Sequence, residues 1–420
     1  MNRHSRPMRH TALLILSLLT FVTAAAQPKT ILVTVTNSLQ QERRDEPVII
    51  RLNDLRKLRF NILDAAVTDG NREVPCQLDD LDSDGRNDEL VWTTNLKAGE
   101  KKVFQVQLSA VAGSHNDRPR VYADMMLDDK KGKHPFITCL EAPGSSYLYS
   151  DLYHHGAAFE SELTAYRIYF DHRQNIDIYG KQLRRLELAD THFYTTAEQQ
   201  LQQYGNDVLW AGNSIGCGTL KLWDGTAPAN WTDVNTRGQR IIASGPVRTI
   251  IEVSDIGTML PSGHATADIH TRYTLYAGHR EVRVDVQCTP AAIACQLVTG
   301  VQKVGASPAS KYFSQGIVAS WGTDHPEQSS AAMKEQFPPE SVGLAVYVPG
   351  PFIANQKEDA LNCLYILSPD VHGHIHYFVT FCADKEADGY HSANEWFNAL
   401  PEWQQQMDHP AKVSFRLKKR

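Results

Sequence analysis

The stretch IIASGPVRTIIEVSDIGTMLPSGHATADIHTRYTLYAGHREVRVDVQ, residues 241–287, decides the fold. Three runs within it, 241–254, 267–276 and 281–287, read as successive strands, with Gly and Pro between them. Residues 374–382 repeat the pattern, and helical pattern is confined to short pieces such as 197–203 and 393–398. About 300 residues of this kind exceed an ordinary immunoglobulin-like sandwich. Two large packed antiparallel sheets, a β-supersandwich, are therefore expected over residues 118–420.

Upstream, residues 30–108 read as shorter alternating strands, among them 31–36, 48–52 and 102–108. Asp69-Gly70-Asn71 and Ala98-Gly99-Glu100 supply turns between them. A small β-sandwich over residues 28–112 follows, and the polar, aperiodic segment 112–119 marks the boundary. The expected class is all-β: a small N-terminal β-sandwich followed by a large antiparallel β-supersandwich.

Residues 1–26 have the form of a secretory leader. Arg3, Arg6 and Arg9 precede the apolar run 13–19, and Ala24-Ala25-Ala26 offers a cleavage site near Ala26. The expected location is periplasmic or secreted. No later stretch approaches about 20 apolar residues, so no integral membrane segment is expected. The formal net charge is −6, and loss of the leader's three arginines makes it more negative. This argues against a nucleic-acid binder, which needs a basic face; a few arginines can still line a local positive cleft. Seven cysteines without a C-x-x-C pair fit small buried apolar residues, although Cys288 and Cys295 are spaced to bridge a tight turn.

Residues 153–173, YHHGAAFESELTAYRIYFDHR, gather the chain's densest set of proton-moving and anion-holding groups on an extended pattern. Aromatic faces beside charged hydrogen-bonding groups are how proteins hold sugars, so a carbohydrate ligand is expected. The catalytic candidates are His155, Glu162, Tyr166 and Arg167. Candidates for substrate binding are His154, Glu160 and Arg173, the loop residues Trp210 and Asn213, and His374 with His376. The last two alternate with His372 and so share a strand face, a spacing that also suits a metal. In a regular strand Arg167 points away from Glu162 and Tyr166. A bulge within 163–165 would bring it round; without one, Arg173 is the substitute.

Asp80, Asp82, Asp84 and Asp88 follow the first half of a calcium loop, with Gly85 at the sharp turn. The twelfth position is Val91, which excludes an EF-hand and leaves a structural calcium turn between strands, or a solvated Asp/Gly turn, as the two readings. G-x-S-x-G, P-loop and H-E-x-x-H motifs are absent, so serine-hydrolase, nucleotide and zincin chemistry find no support.

QLDDLDSDGRNDEL (77–90), YHHGAAFESELTAYRIYFDHRQNIDIYGK (153–181) and DVLWAGNSIGCG (207–218) together resemble the exported bacterial family "domain of unknown function 4861". The resemblance implies a small N-terminal β-domain, a galactose-mutarotase-like supersandwich and a place in polysaccharide degradation, including uronate-type systems. It assigns no activity and no catalytic residue. The expected function is cleavage of an acidic saccharide by lyase chemistry, with His155 as base, Tyr166 as acid and Arg167 neutralising the carboxylate. A hydrolase would instead pair Glu160 or Glu162 with Asp171 or Asp177. A sugar-binding protein without turnover is the third reading.

Overall fold

A computed structural model describes residues 27–289, 297–328 and 330–418. The leader-like residues 1–26 and Cys295, which is spaced to bridge a tight turn with Cys288, lie outside the described residues. Every strand pairing is antiparallel, and the protein is all-β. No helix among the described residues is long and apolar enough to cross a membrane.

The larger body is layered. A nine-stranded sheet has its inner face against two five-stranded sheets, with one continuous core between them. Alternation dictates this layering. In the row Ile241–Ile251–Tyr273–Val284–Tyr377, each residue pairs with the next across neighbouring strands, and the inner residues are buried. One residue along each strand, Arg240–Glu252–Arg272–Asp285–His376 forms the matching row on the outer face.

Strands from the first eighty or so described residues form a smaller sandwich of a three-stranded and a five-stranded sheet around Trp92, Phe104 and a cluster of aliphatics. The chain's last strand departs from the expected boundaries. Lys412–Leu417 leaves the large body, pairs with Lys29–Thr36 and completes the small sandwich's five-stranded sheet. Its short alternating sequence could be read as a strand, but the partner lies almost the whole chain away.

Buried polar groups hold the two bodies together. Gln77 accepts from the backbone N–H groups of Val247 and Arg248 at 2.9 and 3.0 Å. Arg248, nearly without exposure, donates to Asp79 and Glu89 at 2.8 Å each. Arg248→Ala strands these carboxylates at the junction, and breaking such a pair costs about 3–5 kcal/mol. Chemical denaturation should read a loss of that order; a loss below about 1 kcal/mol would show that these pairs do not hold the junction.

Candidate functional site

The site lies on the outer face of the five-stranded sheet that contains the hairpin Leu152–Ser161/Thr164–Tyr169. Strand Thr164–Tyr169 is regular, pairing residue by residue with Gly156–Glu160 and with Ile176–Gly180. Parity therefore separates its side chains. Tyr166 faces inward, packs edge-on to Phe381 at 5.2 Å and donates to the Arg280 carbonyl. Arg167 faces outward, but under a cover formed by the segment after Lys181.

The irregularity lies one strand over. Between the pairs Tyr153–Met126 and Ala158–Asp124, one strand advances five residues and its partner two. His154 and His155 take up the excess in the left-handed region, at φ 47° and 69°. Such conformations are uncommon for residues with a Cβ and cluster at functional sites. His192 and Phe193 repeat the conformation at φ 46° and 70° in the covering segment. Asp124 ties the two pairs together, 3.1 Å from His154 Nε2 and 3.7 Å from His192 Nδ1. Burial raises the Asp124 carboxyl, and the two histidines outweigh this to hold it below its usual value.

His155 thus faces the opening. Its ring stacks on Tyr149 at 3.8 Å and meets Tyr194 edge-on at 6.2 Å. Nδ1 lies 2.7 Å from the Tyr149 carbonyl. A carbonyl only accepts, so Nδ1 carries the proton and Nε2 keeps its lone pair. Burial, helped by the Arg167 charge, lowers the His155 pKa below its usual 6.5 and keeps the ring neutral near pH 7.

Beside it lies the buried guanidinium of Arg167. It donates to Asp177, to Tyr169 Oη at 2.8 Å and to Tyr194 Oη at 3.1 Å. Asp207 Oδ2 is 3.9 Å from the same nitrogen that holds Asp177. Burial, and then the Asp177 charge, push the Asp207 carboxyl well above the usual carboxylate range, against Arg167. Arg173 lies over Tyr149 and Tyr169 at 5.7 Å from each ring, bonded to Asp171, with 39 % of its side chain exposed. Tyr147, Tyr194 and Trp210 are exposed aromatics on these same loops. The arrangement offers a neutral imidazole base, a phenol polarised by a guanidinium, a carboxyl whose pKa is raised and a half-free arginine beside aromatic faces.

The chain matches the family described as "Domain of unknown function (DUF4861)" over residues 35–413. It belongs to that family. Comparison with curated proteins gives no match. Solved structures similar in outline include a protein in glycosyl hydrolase family 38 from Enterococcus faecalis, at 9 % identity and a TM-score of 0.47. An alpha-mannosidase from Enterococcus faecalis V583 is similar at 8 % identity and a TM-score of 0.41. Each alignment covers 93 % of this DUF4861 chain, which spans about half the length of those proteins, 48 % and 46 % respectively.

The other sequence candidates of this DUF4861 member fall in several places. Glu160 is fully buried, pairs with Lys181 and accepts from the N–H groups of Glu187 and Leu188, so it anchors the covering segment. Glu162 lies at the hairpin tip, ~20 Å along the strand from the bulge. It bonds Arg120 at 2.5 Å and Gly278 N–H at 2.8 Å, and Arg120 reaches on to Asp45 of the small sandwich. Both glutamates are thus engaged in holding the fold. His154 is buried behind His155. Trp210 follows Asp207 by three residues, and Asn213 is exposed beyond it. His374 and His376 lie on the outer face of the nine-stranded sheet, with His374 at 3.4 Å from Asp285. The structure therefore does not bring them to His155. Tyr149, Tyr169, Asp177, Tyr194 and Asp207 complete the site. Tyr169 and Asp177 share Arg167's strand parity, while Tyr149, Tyr194 and Asp207 come from flanking segments with no periodic signal.

Gly156 permits the bulge, because a Cβ there would stand 1.9 Å from the Ile168 carbonyl oxygen. Gly156→Ala should cost about 1–3 kcal/mol through overpacking and displace His155. Thermal melting reads the first effect, and the near-ultraviolet signal of the stacked tyrosines reads the second. A variant with unchanged melting and spectrum would contradict this close approach of the two strands.

Proposed function

We propose that this protein cleaves an acidic, uronate-containing saccharide by β-elimination, outside the cytoplasm as its leader-like residues direct. The observation that carries the reading is the neutral His155 ring, its Nε2 lone pair free, stacked among Tyr149, Tyr169 and Tyr194 next to the half-exposed Arg173. In this reading His155 Nε2 takes the proton α to the uronate carboxylate. Arg173 neutralises that carboxylate, a role Arg167 cannot take because Asp177 and two phenols already occupy it in the interior. Tyr194 protonates the leaving oxygen: its hydroxyl accepts from Arg167 and so has its own proton to give. Tyr149 and Tyr194 provide the faces on which sugar rings stack.

One observation favours a second reading, glycoside hydrolysis. Asp207, its carboxyl pushed up by burial and by the neighbouring Asp177 charge, is a candidate for the acid that a hydrolase sets opposite a second carboxylate. A panel of uronate-containing and neutral polysaccharides separates the two. Lyase turnover produces absorbance at the unsaturated-uronate band, and hydrolysis produces reducing ends without it. His155→Ala should lower lyase turnover by at least 10²-fold with little change in melting. Tyr166→Phe should retain turnover and lose about 0.5–1.5 kcal/mol of stability, since it removes one of the two side-chain donors to the Arg280 carbonyl and leaves Thr164 Oγ1 at 3.3 Å. Because the base must be neutral and its pKa is lowered, the rate should hold down to pH 6.5 and fall only below it. Full activity in His155→Ala would overturn the assignment.

We propose also that the loop between strands Cys76–Asp79 and Glu89–Leu96 holds a structural calcium. Oxygens of Asp80, Asp82 and Asp88 lie within 4.8 Å of one another, and Asp84 turns instead to the Arg86 N–H at 2.8 Å. Calcium should raise the melting temperature and a chelator should reverse the rise, with Asp80→Asn abolishing both. Equal melting with calcium and chelator would leave a turn held by its Asp–backbone bonds alone.

A further inference from the structure

On the layer opposite His155, the helix Ala393–Asp408 covers the part of the nine-stranded sheet's outer face around Ala345 and Phe378, and the small sandwich overhangs the remainder. The central row of that outer face, Arg240–Glu252–Arg272–Asp285–His376, runs across five strands in unbroken register. The next row on the same face is Ser254–His270–Gln287–His374. From above, Leu81 O accepts from Arg272 at 3.0 Å and Ser83 Oγ from Arg240 at 2.9 Å, so the wall of the trough is fixed to its floor. Two hollows of about 590 and 540 Å³ share Arg272 and Asp285 and form one trough. Each alone is of the size that holds a small-molecule ligand.

Charge decides what this trough suits. Glu252 holds Arg240 at 3.0 Å and Arg272 at 2.6 Å, and Asp285 holds Arg283 at 2.8 Å with His374 at 3.4 Å. At the inner end, Asp79 and Glu89 compensate Arg248. With carboxylates set between the guanidinium groups, the floor offers no net field to attract a polyanion. It does offer rigid, partly exposed donors and acceptors side by side, the pattern that a vicinal diol bridges. Phe415, 37 % exposed on the terminal strand, adds an aromatic face to the wall.

We infer that this trough is a second saccharide site, binding a neutral, hydroxyl-rich chain and independent of the His155 site. It keeps the protein on a polymer whose backbone or side chains are uncharged.

Affinity gel electrophoresis tests this, with galactomannan, xyloglucan and arabinan cast separately in the gel, against wild type, Asp285→Asn, Phe415→Ala and His155→Ala. Wild type and His155→Ala should be retarded equally by at least one neutral polymer. Asp285→Asn and Phe415→Ala should lose that retardation at least fivefold while keeping any turnover seen at the His155 site. Phe415 is exposed, so its variant guards against a folding defect in the other, and melting curves check both. Free migration of wild type through all three polymers would overturn the inference. So would retardation lost in His155→Ala, or retained in both trough variants.

Discussion

A guanidinium buried among apolar neighbours must be matched by oxygen, and the candidate site is organised around this requirement at Arg167. Removing such a charge from water costs several kcal/mol unless well-placed acceptors surround it. Asp177, Tyr169 and Tyr194 are those acceptors, and each comes from a different segment. Phe193 closes the remaining face at 4.1 Å. Meeting the electrostatic demand of one residue therefore fixes the positions of two phenols and one carboxylate, and it sets the environment of His155 and Asp207.

The backbone supplies the second half of the arrangement. A regular strand would have sent His154 and His155 to opposite faces. The bulge between Tyr153 and Ala158 sends one histidine back to Asp124 and the other to the opening against Tyr149. The strain is local and compensated: Asp124 reaches both left-handed pairs, one in the sheet and one in the covering segment. Glu160, bonded to Lys181 and to the N–H groups that open that segment, anchors the cover at its start.

The all-β class and the layering were legible because alternation with a buried face leaves a strong trace. The runs 241–254, 267–276 and 281–287 read as strands from sequence, and strand parity already indicated that Arg167 would part from Tyr166. Three things left no such trace. The bulge is a matter of pairing: Gly156 within Tyr153-His154-His155-Gly156 signals a bulge or a close backbone approach, but not which residues are left unpaired or where they point. Tyr149 and Tyr194 join the site through loops and Asp207 through the two-residue edge strand Asn206–Asp207, and the positions of all three depend on contacts made elsewhere in the fold. The terminal strand's pairing with Lys29–Thr36 is a long-range choice that local pattern cannot express. Density of functional residue types located the segment correctly as a place of unusual chemistry, but it also drew in Glu160 and Glu162, whose charges hold the structure together.

The most direct test of the proposed site is a crystal structure of the His155→Ala protein with a uronate-containing tetrasaccharide. The site's geometry predicts a sugar ring against Tyr149 or Tyr194, with its carboxylate within ion-pair distance of Arg173 and its glycosidic oxygen near the Tyr194 hydroxyl. An ordered tetrasaccharide bound elsewhere, with Tyr149, Tyr194 and Arg173 untouched, would contradict it.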